Sequence, residues 1–460
     1  MNNLEINKEC GFLKLNDRQL NEVFCFSDGY ISFLNKCKTE RETNKYIIEK
    51  LEKEGFVNIE NIDKIENNTK IYYNNRNKSV YAIKLDGDIT NGLNIIGSHI
   101  DSPRLDLKPN PLYEDSNLTL LKTHYYGGIK KYQWTAIPLV LKGVVIKNNK
   151  VININIGEDE NDPIFTITDL LPHLAIKQSS EKLNDAIKGE NLNIIVGSIP
   201  NDISIKNNIL TILNEKYGID EDDLSSSELE LVPDFKAKTL GFDKSMIASY
   251  GQDDKSCTYS NLMSFIESSN SKVVKTAIFS DKEEIGSVGN TGMDSNNFDN
   301  FLNEVLNKLE INKPSLLTNI YCKSIMLSAD VGAGIDPNYQ DVSERNNASI
   351  IGFGVEINKY TGSKGKTGAS DASAEYISFV KDIFKKNKIK YQVSELGKVD
   401  VGGGGTIAYI LANKGVDVID CGVPVISMHS PYEVTSKYDI YSSFQAYKSF
   451  YEEIEKPCYN

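Results

Sequence analysis

Histidine is scarce in this 460-residue chain: only His99, His124, His173 and His429 occur. Any metal site must therefore lean on carboxylates. The seven cysteines, at positions 10, 25, 37, 257, 322, 421 and 458, contain no C-x-x-C pair and are odd in number. They read as reduced thiols of a cytosolic protein, not as a disulfide framework or a thiolate metal cage. Basic residues are in deficit, 51 against 64 acidic ones, for a formal charge of -13. That balance argues against nucleic acid, whose phosphates need a basic face, and against an anionic membrane surface. Long apolar runs are missing too. The longest, Ala136 to Ile146, is broken by Lys142 and falls well short of the ~18 residues of a spanning helix. The stretch Met1-Asn2-Asn3-Leu4-Glu5 lacks the basic and apolar regions of a signal peptide, so a cytoplasmic location is expected. There is no G-x-S-x-G elbow to support a serine hydrolase. Lys366-Thr367 after Gly365 mimics the end of a phosphate-binding loop, but the glycine required five residues earlier is Tyr360.

What is present suits a globular protein of two or three domains: 40% hydrophobic and 25% charged residues. Thr39 and Glu42 form a capping box, Ile47, Ile48 and Leu51 an apolar stripe, and Gly55 a stop, predicting an early helix. Strands are expected at Ile71–Tyr73, Val80–Ile83 and Leu93–Ile96. From about 105 to 245 alternating runs such as Val151–Ile156 suggest antiparallel strands with one wet face, and Asp220–Asp223 with Ser225–Ser227 a surface loop. Beyond 250, strand candidates Val273–Ser280, Ile325–Ala329 and Val416–Ile419 alternate with helix candidates Ser256–Ser268 and Ala372–Lys386. The expectation is an α/β fold, a mixed, mostly parallel sheet covered by helices, interrupted by a β-rich insertion. The parts would be 1–104 and 246–460 for the catalytic domain and 105–245 for the insertion.

Open α/β sheets bind ligands beyond the carboxyl ends of their strands. His99-Ile100-Asp101 follows one predicted strand, Asp281-Lys282-Glu283-Glu284 a second, Asp330 a third and Met428-His429-Ser430 the last, while Asp253-Asp254 lies just before a helix. Each piece alone is weak. His99 could be a bonded core histidine, although its spacing permits Asp101 to hold its far nitrogen. Glu283-Glu284 could be a structural ion pair, although one could ligate while its neighbour takes a proton from water. Asp222-Asp223 and Glu452-Glu453 read as solvated acids, and Gly402–Gly405 as close backbone packing. Together, two histidines and three carboxylates can hold two zinc ions ~3.5–4 Å apart around a shared water, with a further carboxylate as base.

The motifs Gly97-Ser98-His99-Ile100-Asp101-Ser102-Pro103, Glu283-Glu284-Ile285-Gly286-Ser287, Ser328-Ala329-Asp330, Pro337-Asn338-Tyr339, Met428-His429-Ser430 and Leu171-Pro172-His173-Leu174-Ala175-Ile176 resemble those of the aspartyl aminopeptidase and vacuolar aminopeptidase I family, in its bacterial branch. The resemblance spans nearly the whole chain. It implies a di-zinc exopeptidase fold with an inserted dimerisation domain, and two Zn2+ per subunit, with Mn2+ or Co2+ also suited to the donors. By that resemblance His99 and Asp330 hold one zinc, Glu284 and His429 the other, and Asp253 bridges them. Glu283 is the general base, Asp101 partners His99, and His173 reaches the active site of a neighbouring subunit. It further implies a tetrahedral dodecamer built from dimers, acting on peptides with a free N-terminus.

The chain departs from eukaryotic members, which carry histidines where Ala333 and Asp336 stand and Asp-Asn where Asp253-Asp254 stands. A preference for acidic N-terminal residues needs a cation in the side-chain pocket, for which Lys359, Lys364 and Lys366 are candidates. The rival readings are a deacylase or carboxypeptidase on the same two-metal plan, and a non-catalytic assembly protein built on the same fold.

Overall fold

The structure, a computed structural model, describes residues 9–269, 272–311 and 313–459. The stretch Met1–Glu5 lies outside them. The chain divides into two compact units. One comprises the residues up to Asp101, Ala237–Met428 and those from Glu433 onward; the other comprises Ser102–Lys236 with His429–Tyr432.

The first unit is built on a nine-stranded sheet in the order Val57–Asn58, Lys70–Asn75, Ser79–Leu85, Val274–Ser280, Leu93–His99, Ile325–Ser328, Asp417–Gly422, Val355–Asn358, Tyr391–Ser394. The central strands Val274–Ser280, Leu93–His99, Ile325–Ser328 and Asp417–Gly422 run parallel, with antiparallel pairings on either side of them. Successive side chains leave a strand on opposite faces, and here both faces are covered. Ile96, Ala277 and Leu327 join one buried cluster with Tyr30, Phe33, Ile47, Leu51 and Tyr447 from flanking helices. Ile95, Ile278 and Met326 join a second with Phe298, Leu302 and Ile320. That explains why these strands read as unbroken apolar runs. A smaller five-stranded sheet completes the unit, in the order Lys238–Leu240, Met246–Ser249, Glu433–Ser436, Pro424–Ile426, Gly332–Ala333.

The helix after Thr39 runs Glu40–Lys53, with the reciprocal Thr39/Glu42 bonds in place and Gly55 at φ +81° beyond its end. A longer helix precedes it, Asp17–Lys36. The run Gly402–Gly405 is packed against other backbone: a Cβ at Gly402 would strike Leu396 O, and one at Gly403 would strike Gly362 O.

The second unit holds a six-stranded, wholly antiparallel sheet in the order Lys150–Ile156, Leu139–Lys147, Ser227–Pro233, Arg104–Asp115, Leu118–Tyr126, Ile194–Gly197. Along Lys150–Ile156 the buried positions are Ile154 and Ile156, with the exposed Asn155 between them. The acidic stretch expected as a loop is instead a short 3-10 helix, Asp222–Ser226. Asp220 Oδ1 accepts the N–H of Asp222 at 3.1 Å, and Lys147 Nζ lies 3.0 Å from Asp220 and 2.5 Å from Asp223. The cation offsets the crowding of acids that would otherwise favour an open loop.

Candidate metal centre

His99 ends strand Leu93–His99, and its parallel partner is Ser280, the last residue of the neighbouring strand. On the other side Ser328 pairs with Gly97, and Asp330 follows two residues later. Three carboxyl ends thus deliver an imidazole, the turn after Ser280 and Asp330 to one place, as parallel sheets do.

The imidazole is buried. Its Nε2 lies 3.2 Å from Asp253 Oδ1, 3.8 Å from Asp330 Oδ1 and 3.9 Å from Glu283 Oε2. Its Nδ1 lies 3.1 Å from the Asp101 carbonyl oxygen and 3.3 Å from Asp101 Oδ1. The Asp101 carboxylate also accepts the backbone N–H groups of Glu283 and Glu284, each at 3.2 Å. It thereby ties the ring to the short 3-10 helix Glu283–Ile285, which the chain enters through Lys282 at φ +65°. Thr258 Oγ1 donates to the His99 carbonyl at 2.7 Å.

Asp253 and Asp254 lie at the head of helix Gln252–Glu267, both with non-helical dihedrals and joined by a cis peptide bond. Glu433 Oε2 receives the N–H of Gln252 at 2.6 Å and of Asp253 at 3.2 Å. Gln252 Nε2 returns a bond to the Glu433 carbonyl at 2.7 Å. Sequence reasoning misses Glu433 and Thr258. A glutamate opening the short β-branched run Val434-Thr435 after Pro431-Tyr432 was the available signal for the first; a threonine within a helix offers none.

Burial draws the His99 pKa down, but the Asp101 and Asp253 carboxylates and the charges of Glu283 and Asp330 outweigh it and hold the ring well above the ordinary histidine value. Burial pushes Asp330 well above the usual carboxylate range, and repulsion from Glu283 adds to it. Asp254 is pushed up by burial also, against the pull of His99. Carboxylates crowded out of water in this way call for positive charge. Two sets of ligand atoms lie within 4.8 Å of one another: His99, Asp254 and Asp330, and His99, Asp253 and Glu284. Asp254 is fully buried, and its carboxylate is met by the His99 N–H and the Cys257 thiol. An imidazole with several crowded carboxylate oxygens fits a zinc-type cation.

The structure therefore brings together His99, Asp101, Asp253, Glu283, Glu284 and Asp330. His429 groups with the second unit, at φ +63°, its Nδ1 2.7 Å from the Gly128 carbonyl oxygen. His173 is exposed in that unit. Lys359 is half-buried in the first unit, while Lys364 and Lys366 are exposed and line a cavity of about 200 Å3 with Glu395 and Lys398. Lys366 Nζ lies 3.0 Å from Asp371 and 4.0 Å from the centre of the Tyr360 ring.

Comparison with known proteins identifies the family. The family model of the aminopeptidase I zinc metalloproteases, M18, matches residues 33–451. A Clostridium acetobutylicum protein named Probable M18 family aminopeptidase 1 is 47% identical over 92% of this chain and 94% of its own length. The crystal structure of an M18 aminopeptidase from Thermotoga maritima superposes with a TM-score of 0.94 at 42% identity, covering 98% of this chain and all of that one. The S. cerevisiae mApe1 dodecamer shares the fold at a TM-score of 0.76 and 20% identity, covering 94% of this chain and 97% of that one. The chain belongs to the M18 family and is a zinc metallo-aminopeptidase, a hydrolase acting on peptides.

Proposed function

We propose that the chain uses two zinc ions to release residues one at a time from the N-terminus of peptides. The observation that carries this reading is the convergence of Asp253, Glu283 and Asp330 on His99 Nε2 at 3.2–3.9 Å. Following the family resemblance, His99 and Asp330 would hold one ion, Glu284 and His429 the other, with Asp253 shared. When bound, such a pair polarises the scissile carbonyl and lowers the pKa of water toward ~7. Glu283 has a side chain 15% exposed, open enough to take a proton from the attacking water. It then returns that proton to the leaving amide nitrogen as the peptide bond breaks. Asp101 keeps Nε2 of His99 turned toward the donors by engaging Nδ1.

A preference for acidic N-terminal residues rests on Lys359, Lys364 and Lys366. Asp371 already answers the charge of Lys366, whereas Lys364 makes no ion pair among the described residues, so Lys364 is the stronger candidate. Homo-oligomeric assembly, on the dodecameric plan of the yeast relative, finds support in the second unit. There Leu170, Leu171, Leu174 and Ile176 are exposed around His173, an apolar surface that a second copy would cover while His173 reached its neighbour's site. A cytoplasmic location is supported by seven cysteines all free. No helix among the described residues is long and apolar enough to cross a membrane.

The test is Glu283→Gln. Elemental analysis should find the zinc content of the wild type, while turnover of aminoacyl fluorogenic substrates falls about 10²–10⁴-fold. Unchanged kcat would overturn the base assignment. Chelated wild type should be inactive, and peptides with a blocked amine should be ignored.

A further inference from the structure

The segments that border Glu283 carry three apolar side chains open to solvent, none of which the reaction above uses. Ile285 and Val288 stand on the turn that follows Glu283, 44% and 56% exposed, and Tyr409 is 36% exposed. The turn is held in one shape. The Gly286 N–H donates to the Glu283 carbonyl at 2.9 Å, the Ser287 N–H to the Lys282 carbonyl at 2.7 Å, and the Asp294 N–H to the Ser287 carbonyl at 3.1 Å. Tyr409 sits on an equally fixed backbone. Thr406 Oγ1 donates to the buried Asp420 at 2.7 Å and accepts the Ala408 N–H at 3.2 Å. Ile407 packs over Gly97, two residues before His99, so closely that a Cβ there would lie 2.9 Å from Ile407 Cδ1. From Ile407 to Leu411 every residue but Tyr409 is buried. Burial lifts the Tyr409 phenol above its usual range, and the charges of Asp294 and Glu283 add to it, so the ring stays neutral.

The reaction dictates what part of the substrate lies there. Glu283 returns its proton to the leaving amide nitrogen, and that nitrogen belongs to the second residue of the peptide. The second residue is therefore held at Glu283, and its side chain meets whatever borders that carboxylate. An apolar side chain gains by leaving water against Ile285, Val288 and the Tyr409 ring, whereas glycine gains nothing. We infer that Tyr409, with Ile285 and Val288, forms the site for the second residue of the peptide and selects substrates in which that residue is apolar. This rests on the assignment of Glu283 as the base. Asp294 is exposed and its charge is screened by solvent; were it to govern the site, a basic second residue would be favoured, and the test separates the two.

The test uses the zinc-loaded full chain and the peptide amides X-Leu-NH2, X-Gly-NH2 and X-Lys-NH2, where X is the N-terminal residue that wild type releases fastest. Wild-type kcat/KM should be about ten- to a hundredfold higher for the leucine than for the glycine peptide. Tyr409→Ala should lower that ratio at least about fivefold, through KM more than kcat, and Tyr409→Phe, which keeps the ring, should restore it. Val288→Ser should lower the ratio as well, and it decides the matter should Tyr409→Ala not fold. Equal rates on the leucine and glycine peptides, a ratio that Tyr409→Ala leaves unchanged, a Tyr409→Phe as impaired as Tyr409→Ala, or a preference for the lysine peptide would each overturn the inference while leaving Glu283 as the base. Full turnover by Glu283→Gln, measured alongside, would overturn the base assignment and the inference with it.

Discussion

Asp101 makes contacts in three directions: with the His99 ring and with two successive amides of the Glu283 turn. A side chain so committed sets the position of its neighbours more than it reacts itself. Gly422 acts comparably through what it lacks. A Cβ there would collide with the Asp330 carbonyl oxygen. Gly422→Ala should force the Asp330 segment away, costing about 1–3 kcal/mol. A lowered urea midpoint together with weaker zinc binding would check this, and an unchanged affinity would show that Asp330 tolerates the shift. At this scale His99, Asp253, Glu283, Glu284 and Asp330 are legible in the sequence because each stands where a predicted strand ends or a helix begins. Glu433 is not, because its role depends on a pairing between strands nearly two hundred residues apart: Met246–Ser249 against Glu433–Ser436.

Among the elements, helix Gln252–Glu267 matters most, because the first turn carries the carboxylates and Glu433 bonds that turn twice. Glu433→Ala would leave two buried amides unmet and should cost about 1.5–3 kcal/mol. Glu433→Gln, which retains an acceptor oxygen, should recover most of that. Equal urea midpoints for the two variants would refute the bonding role. Helix Glu40–Lys53 announces itself by its caps and stripe. Helix Asp17–Lys36 has an equal capping box, Asn16 with Gln19, and buries Val23, Ser27, Tyr30, Phe33 and Leu34, but Ser27 interrupts the apolar stripe and hides it. Helix Lys437–Tyr451 is buried around nearly its whole circumference, polar residues included, so no amphipathic contrast exists to read.

For the molecule as a whole, the parallel centre of the sheet follows from apolar runs alternating with helical segments, whereas strand order depends on contacts no local pattern carries. Stability over pH has one traceable source in Asp439. It is buried and accepts the N–H of Gly352 at 2.6 Å and of Gly354 at 2.7 Å. Burial raises its pKa from 3.8 to about 8, with the two amides opposing. Between those values the folded chain holds a proton that the unfolded chain releases. The contribution of this group is therefore complete below the lower value and lost as pH climbs to the upper, at no more than about 1.4 kcal/mol per pH unit. Urea midpoints of wild type against Asp439→Asn at pH 6 and 8 should show wild type losing ground as pH rises; a constant gap would contradict the shift.

The strand order has a consequence for synthesis. Strands Ser79–Leu85 and Leu93–His99 are consecutive in the chain, yet Val274–Ser280 lies between them in the sheet. The whole of Ser102–Lys236 must be translated before that slot can be filled. For that interval the nascent chain presents two bare strand edges flanked by apolar faces, the kind of surface that chaperones bind and that otherwise aggregates. Because the contact closes so long a loop, the ribosome's pace sets the earliest moment at which the centre of this sheet can form.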